Sequence, residues 1–506
     1  MHPGLDRRTF LRRSAAVGGG LLSATALERM VARSARADAA PGAARPYGEL
    51  RRTPDQRGVE VLALPIGFSY VTFGHIGTTM SDGNPTPLAL DGMGAFRGGR
   101  FHGEGSEHLV RLIRNSEDRN PVTVAAGGLH GDRSKAYDDK AWGGTTTLIY
   151  DEHRRELVED FVSLNGTIVN CAGGASLGHG SWISGEEAVG GPEASAAAMR
   201  FPKRHGYLFE TPVDREAHQL TTPEPIRAAG RFAHEACAVD QSTGIVYETE
   251  DPGGMTGAGF YRYVPDDPER LTAGGTLDML KIEGRFQADL RENQEPDVAL
   301  PVRWVRIEDP DPTLPAIGST TSTFNQGWAK GGAKFFRLEG CWADGSTIYF
   351  VSTGGGDEKH SAALPDGFRR GYGQVWAYRP GDGDDGTLTL VYESPGKAAM
   401  DSPDNLTVTP RGGLVMCEDD ASPGELDEHP LAPGLEPVNR VIGLMPGGEA
   451  FELAVNVLNS SELAGVCFSP SGRTMFFNLF GRATNAEPAV EGMTCAITGP
   501  WGRGPL

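Results

Sequence analysis

The chain has 506 residues and a formal net charge of −20, which excludes a nucleic-acid surface, because phosphate backbones demand a basic face. Its 70 glycines and 35 prolines exclude a fold of long helices and favour many short strands joined by turns. Six cysteines (Cys171, Cys237, Cys341, Cys417, Cys467 and Cys495) stand at wide spacings with no CxxC. That pattern argues against a thiolate zinc site and against a disulfide scaffold, and it leaves their pairing open.

In chain order, the first feature is DRRTFLRRSAAVGGGLLSATAL. Paired Arg7 and Arg8 precede Phe10 and Leu11, a mildly apolar run follows, and Ala35-Arg36-Ala37 offers a small-x-small cleavage site. This predicts a twin-arginine signal peptide over residues 1–37 and a single mature domain over 38–506. No later apolar run is long enough to span a bilayer. The expected location is therefore periplasmic or extracellular, after export of the folded protein by the twin-arginine translocase. A cofactor would then be loaded before export.

Next come TTTLIYD at Thr145 and VNCAGGASLGHGSWISGEEAVGG at Val169, in which Cys171 sits in a glycine-rich loop ahead of Glu186 and Glu187. Both read as earlier, less regularly spaced blades of a pattern that four later segments share: HEACAVDQSTGIVYETED from His234, LEGCWADGSTIYFVSTGGGD from Leu338, PDNLTVTPRGGLVMCEDD from Pro403, and a weaker SELAGVCFSPSGRTMFFNLFG from Ser461. Each opens on a short apolar strand, turns at a glycine-containing link, and returns on a second apolar strand. In the three stronger copies a polar residue stands at both ends, as in Glu235 to Glu250, Glu339 to Thr353 and Asn405 to Glu418. A hairpin brings its two ends together. Repeating it around an axis would gather such pairs at one end of a central channel, which predicts a β-propeller rather than a plain sandwich. FYRYVPD, GQVWAYRP and NRVIGLM then read as outer strands.

The residues so gathered are Cys171, Glu186, Glu187, His234, Glu235, Glu250, Asp251, Glu339, Asp404, Asn405, Glu418 and Asp419. So many carboxylates in a small volume must either protonate or hold cations between them. Oxygen ligands suit calcium, and a thiolate added to carboxylates suits a transition metal such as iron. For Cys171 itself two readings stay open, a small buried residue or a thiolate ligand that the following Gly-Gly lets approach a metal. Arg337 lies two residues before Glu339, on the same strand face, and Arg411 lies in the turn of the Asn405 copy. Either can recognise an oxyanion or merely bridge a carboxylate. The nucleophile-elbow pattern is absent from SWISGEE, no lysine accompanies GHGSW or STGGGD at P-loop spacing, and there is no HExxH.

Taken in order, DGMGAF, GGTTTL, NCAGG, EE, GRFAHEA, YETED, RLEG, SPDNL, PRGGL and CFSPSG resemble the secreted PhoX-type alkaline phosphatases along most of the mature chain. The resemblance implies a six-bladed β-propeller with an iron and calcium cluster (Fe3+, Ca2+) in the central channel, hydrolysing organic phosphomonoesters. It implies that Cys171 and Glu339 are iron ligands with Glu250 as companion, and that Glu187, Glu235, Asp404 and Glu418 are calcium or iron ligands. Arg337 would hold the phosphate with help from Arg411. The chain departs from the family pattern at Ser176–Trp182, at Ser116 in a histidine position, and at Gly185 in a cysteine position. Two other readings of the same architecture are a calcium-dependent hydrolase of phosphotriesters or lactones and a non-catalytic propeller stiffened by metal. A monomer is the default, as no heptads signal assembly.

Overall fold

The computed structural model describes residues 45–98, 107–120, 122–124, 126–253, 257–313, 321–419 and 438–506. The expected signal peptide lies outside these residues. The described chain is all-β, with one short α-helix, Thr323–Ala329, and a few single 3-10 turns. Every paired strand runs antiparallel to its neighbours in one of five sheets. The arrangement is propeller-like.

Local sequence explains the hairpins. Between Leu338–Asp344 and Thr347–Ser352 the link is Gly345-Ser346, and Gly345 has φ 61°. Only a residue without Cβ adopts that conformation cheaply, so Asp-Gly fixes the turn and with it the strand register. In the Asn405 copy Gly412 does the same at φ 82°, where Thr409 and Gly413 close the turn. The strands between are apolar on both faces: all six residues of Thr347–Ser352 are buried. Such strands belong inside stacked sheets, where each large side chain removes apolar area from water at about 25 cal/mol per Å². Phe260, Phe350, Trp376 and Tyr378 form one such core between neighbouring sheet faces, with Phe260 and Phe350 stacked at 4.2 Å.

Six strands are innermost: Leu90–Arg97, Asn170–Ala175, His234–Val239, Leu338–Asp344, Pro403–Val408 and Leu463–Phe468. Each packs against the next in that order, and the last packs against the first. The strands just outside them are Leu109–Ser116, Ser181–Glu186, Val246–Glu250, Thr347–Ser352, Leu414–Glu418 and Thr474–Leu479. The last sheet is completed by an early segment, since Ser69–Phe73 pairs with Met493–Thr498. The outer strands at Phe260, Gln374 and Arg440 fall where the hairpin grammar put them. All six cysteines are buried free thiols.

Candidate metal centre and active site

All six innermost strands are interrupted at the same place. Leu90 pairs with Ser116 and Met93 with Arg114, so two inner residues face one outer residue. The same offset occurs at Asn170/Gly173, His234/Cys237, Leu338/Cys341, Pro403/Leu406 and Ala464/Cys467. A bulge of this kind re-aims a side chain. The first residue of each bulged pair is Asp91, Cys171, Glu235, Glu339, Asp404 and, in the sixth strand, Gly465. The chain enters four of these strands through a left-handed residue: Ala89 at φ 54°, Val169 at 44°, Arg337 at 43° and Ser402 at 46°. Non-glycine residues rarely adopt this conformation, and it collects at functional sites, at a cost of about 1–3 kcal/mol each.

A second tier comes from the outer strands. Glu117, Glu187, Asp251, Thr353 and Asp419 each follow directly on a strand, and each donates its backbone N–H to the residue two before the inner acid or thiol. The pairs are Glu117 to Ala89, Glu187 to Val169, Asp251 to Ala233, Thr353 to Arg337 and Asp419 to Ser402.

The tiers meet in three groups whose ligand atoms lie within 4.8 Å of one another: Asp91–Glu117–Cys171, Cys171–Glu187–Glu235 and Glu235–Glu339–Asp404. The Cys171 thiol donates to Asp91 Oδ2 at 3.1 Å. Burial first, and then the neighbouring carboxylates, push Glu235 and Asp91 well above the usual acid range. Burial likewise raises Cys171, Glu187, Glu339, Asp404 and Glu462. Asp251 moves the other way: burial pushes it up, but the charge and hydrogen bond of Arg337, with the Gly253 N–H and Glu187, together hold it below the usual range. Among the described residues, Asp91 Oδ1, both carboxylate oxygens of Glu235, and Asp419 Oδ1 are buried with no hydrogen-bond donor. Orphaned carboxyl oxygens grouped around a thiol fit cations, since a buried carboxylate left unpaired is costly.

Two arginines touch the cluster. Arg337 donates through Nε to Asp251 at 2.9 Å and pairs through Nη2 with Glu339 at 2.9 Å. Arg119 donates to Glu117 at 2.6 Å and to Glu187 at 3.1 Å, and about half of its side chain is exposed. Backbone and amide groups fix the inner tier from behind. Asn115 donates to the carbonyls of Cys171 and Ala172 at 3.0 and 2.8 Å while accepting from Trp182. Asn405 donates to Asp404 at 2.9 Å.

Below the acids the axis closes on small residues. A Cβ at Gly92 would stand 2.4 Å from Ala172 Cα, and one at Gly340 would stand 2.7 Å from Asn405 Cα. Only about 20 Å³ is left there. On the other side a cavity of about 600 Å³ shares Arg119, Glu187 and Asp251 with the cluster.

Of the residues expected from sequence, Cys171, Glu187, Glu235, Glu339 and Asp404 come together, with Arg337 beside them. Glu250, Glu418 and Arg411 are placed elsewhere. Glu250 is the last residue of its strand and accepts from Tyr261 Oη at 2.7 Å and Gly259 N at 2.9 Å. Glu418 is paired with buried Arg440 at 2.7 Å and accepts from Asp401 N. Burial pushes both up to about 7, against the pull of the Arg440 charge on Glu418. A one-residue step along a strand turns the side chain to the other face, so the channel receives Asp251 and Asp419 instead. Glu186 is likewise off the axis, held by His205 at 2.6 Å. Arg411 lies past the far end of Pro403–Val408, where it donates to Gly504 O.

The residues that the hairpin grammar missed are Asp91, Glu117, Arg119 and Glu462. The signal for Asp91 was present, since Asp91-Gly92 opens its strand as Glu339-Gly340 does. The departures from the family pattern fall away from the ligand groups. Ser116 donates to Leu88 O, His179 is exposed in a link beyond the far end of Asn170–Ala175, and a side chain at Gly185 would press on the His234 carbonyl at 2.7 Å.

The family described as alkaline phosphatase PhoX matches residues 45–481. The chain belongs to the PhoX family. A comparison with curated proteins returned no match. Among solved structures, Pseudomonas fluorescens PhoX in complex with vanadate, a transition state analogue, is 18% identical, with a TM-score of 0.62 over 91% of this chain and 99% of that one. A gluconolactonase from Xanthomonas campestris is 12% identical, with a TM-score of 0.34 over 82% of this chain and 98% of that one. The first likeness supports the PhoX fold, and the second is too distant to add to it. Among the described residues no helix is long and apolar enough to cross a membrane.

Proposed function

We propose that this PhoX-family protein is a metal-dependent phosphatase that releases phosphate from organic monoesters. The observation that carries the reading is the pair of carboxylate tiers, with orphaned buried oxygens and two arginines at their edge, in a chain of this family. Asp91, Glu117, Cys171, Glu187, Glu235, Glu339 and Asp404 would hold the cations. The hard oxygens suit calcium, and the Cys171 thiolate suits iron. Bound there, the cations supply the positive charge that phosphoryl transfer requires.

The chain's own residues do the rest. Arg337 and Arg119 present planar donor forks to the phosphoryl oxygens, and their carboxylate partners hold them oriented before substrate arrives. Asn115 and Asn405 keep the inner tier in place. The closed axis beneath the cluster admits substrate from one side only, which limits water around the reacting group.

The same reading takes the nine-stranded sheet that runs from His234–Val239 at one edge to Leu338–Asp344 at the other as two blades joined edge to edge, which makes six blades around the axis. It includes export by the twin-arginine translocase, removal of residues 1–37, a periplasmic or extracellular location and a monomeric state.

The test is hydrolysis of p-nitrophenyl phosphate by the purified protein as isolated, after chelation, and after calcium is restored. Turnover that vanishes with chelator and returns with calcium is expected. A folded, metal-loaded sample that turns over nothing would overturn the reading.

A further inference from the structure

The approximately 600 Å³ cavity beside the cluster is as large as pockets that hold whole small ligands. It is continuous with the metal centre, since Arg119, Glu187 and Asp251 belong to both. One wall is apolar. Ile168 and Phe201 belong to a buried cluster that Met199 packs against, and Trp142, Phe232 and Phe324 continue that wall. Met199, Phe232 and Phe324 come from segments that hold no member of the three ligand groups: the turn ending at Met199, the link before His234 and the helix Thr323–Ala329.

We infer that this cavity is the leaving-group subsite and selects phosphate esters whose organic part is aromatic or otherwise apolar. The inference rests on the phosphatase reading and deepens it. A phosphoryl group at the cations, between Arg337 and Arg119, cannot extend its ester downward, because the axis there is filled by Gly92, Ala172, Ala236 and Gly340. The organic part must point to the open side, where the cavity adjoins Glu187 and Asp251. An aryl group there gains from leaving water, whereas a polyol hydroxyl turned to this wall would lose its hydrogen bonds.

The experiment compares benzyl phosphate with glycerol 1-phosphate, whose alkoxide leaving groups are similarly basic, and phenylphosphonate with methylphosphonate, on the full metal-loaded protein. The wild-type protein should favour the aromatic ester in kcat/KM by about tenfold or more, the scale that an apolar pocket achieves. It should also bind phenylphosphonate more tightly by calorimetry. Met199→Glu should erase most of both preferences, and Phe324→Ala, in the short helix, should reduce them if the first variant folds poorly. Equal kcat/KM and equal phosphonate affinity in the wild-type protein would overturn the inference. Equal losses for both esters in each variant would do the same. Tight phenylphosphonate binding without turnover of either ester would sink the phosphatase reading while leaving the subsite standing.

Discussion

Two tiers of residues, one step apart in sequence, behave as different materials. Ser116, Glu186, Glu250, Ser352 and Glu418 end their strands and turn into the blades. Ser116 and Ser352 donate to the carbonyls of Leu88 and Phe336, while Glu186 and Glu418 accept from the backbone of Ile168 and Asp401. They fasten the segment that leads into the inner strand. Their neighbours Glu117, Glu187, Asp251 and Asp419 turn to the axis, where carboxylate oxygens outnumber donors. The lesson is that paired acids such as Glu186-Glu187 divide their labour, with the first serving the fold and the second the channel.

The largest effect should come from crossing that division at the centre. Glu235→Gln should lower phosphatase turnover by at least about 100-fold, the upper end of what lost support to a metal site costs. Calcium should raise the melting temperature of the wild-type protein, and this substitution should abolish that rise. A variant that kept the calcium shift would break the comparison. On the structural side, Glu418→Ala removes the fully buried carboxylate that pairs with Arg440 at 2.7 Å, and the part-exposed Glu452 at 3.3 Å replaces it poorly. The substitution should destabilise the protein by about 3–5 kcal/mol in denaturant unfolding, while any folded fraction still responds to calcium.

The two glutamates pushed up to about 7 give a pH signature. Below the ordinary glutamate value of 4.5 the folded and unfolded chains are both protonated there. Between 4.5 and about 7 the folded chain binds the extra proton, so the contribution of these two groups to stability falls as pH rises through this window and levels off above it. Chelated protein should show that slope in thermal melts. Glu250→Gln keeps an oxygen for Tyr261 and Gly259, and it should flatten the slope by up to about 3 kcal/mol across the window. It should leave turnover within about threefold, because only Asp251 faces the cluster. The smallest effect is expected at Arg411→Ala, far from the cluster, where turnover should stay within about twofold and stability within about 0.5 kcal/mol.

Much of this was legible in the sequence. The hairpin grammar located four of the six inner strands and the Val169 stretch a fifth, and the requirement that many acids share a cation pointed to Cys171, Glu187, Glu235, Glu339 and Asp404. Glu250 and Glu418 were counted into the channel because spacing marks where a strand ends to within a residue, while side-chain direction alternates with every residue. The bulges that aim Asp91 or Glu339 inward leave no local sequence mark apart from the small residue that often follows. Asp91 and Glu117 escaped because their two strands are joined by a longer link than the later hairpins have, so no fixed spacing tied them together. Arg119 lies outside any strand, and only the folded chain brings it to Glu187.

Ser69–Phe73 completes the last sheet by pairing with Met493–Thr498, and Glu60–Pro65 similarly lies against Ala450–Asn456. The earliest strands therefore wait for the latest ones. As the ribosome delivers the chain, the middle hairpins can form in order, but the circle cannot shut until synthesis is nearly finished. Contacts this distant in sequence slow folding. A chain that stops short of Met493 leaves an open edge at Thr474–Leu479 and an unpartnered strand at its beginning, so the strand Met493–Thr498 acts as the clasp of the whole molecule.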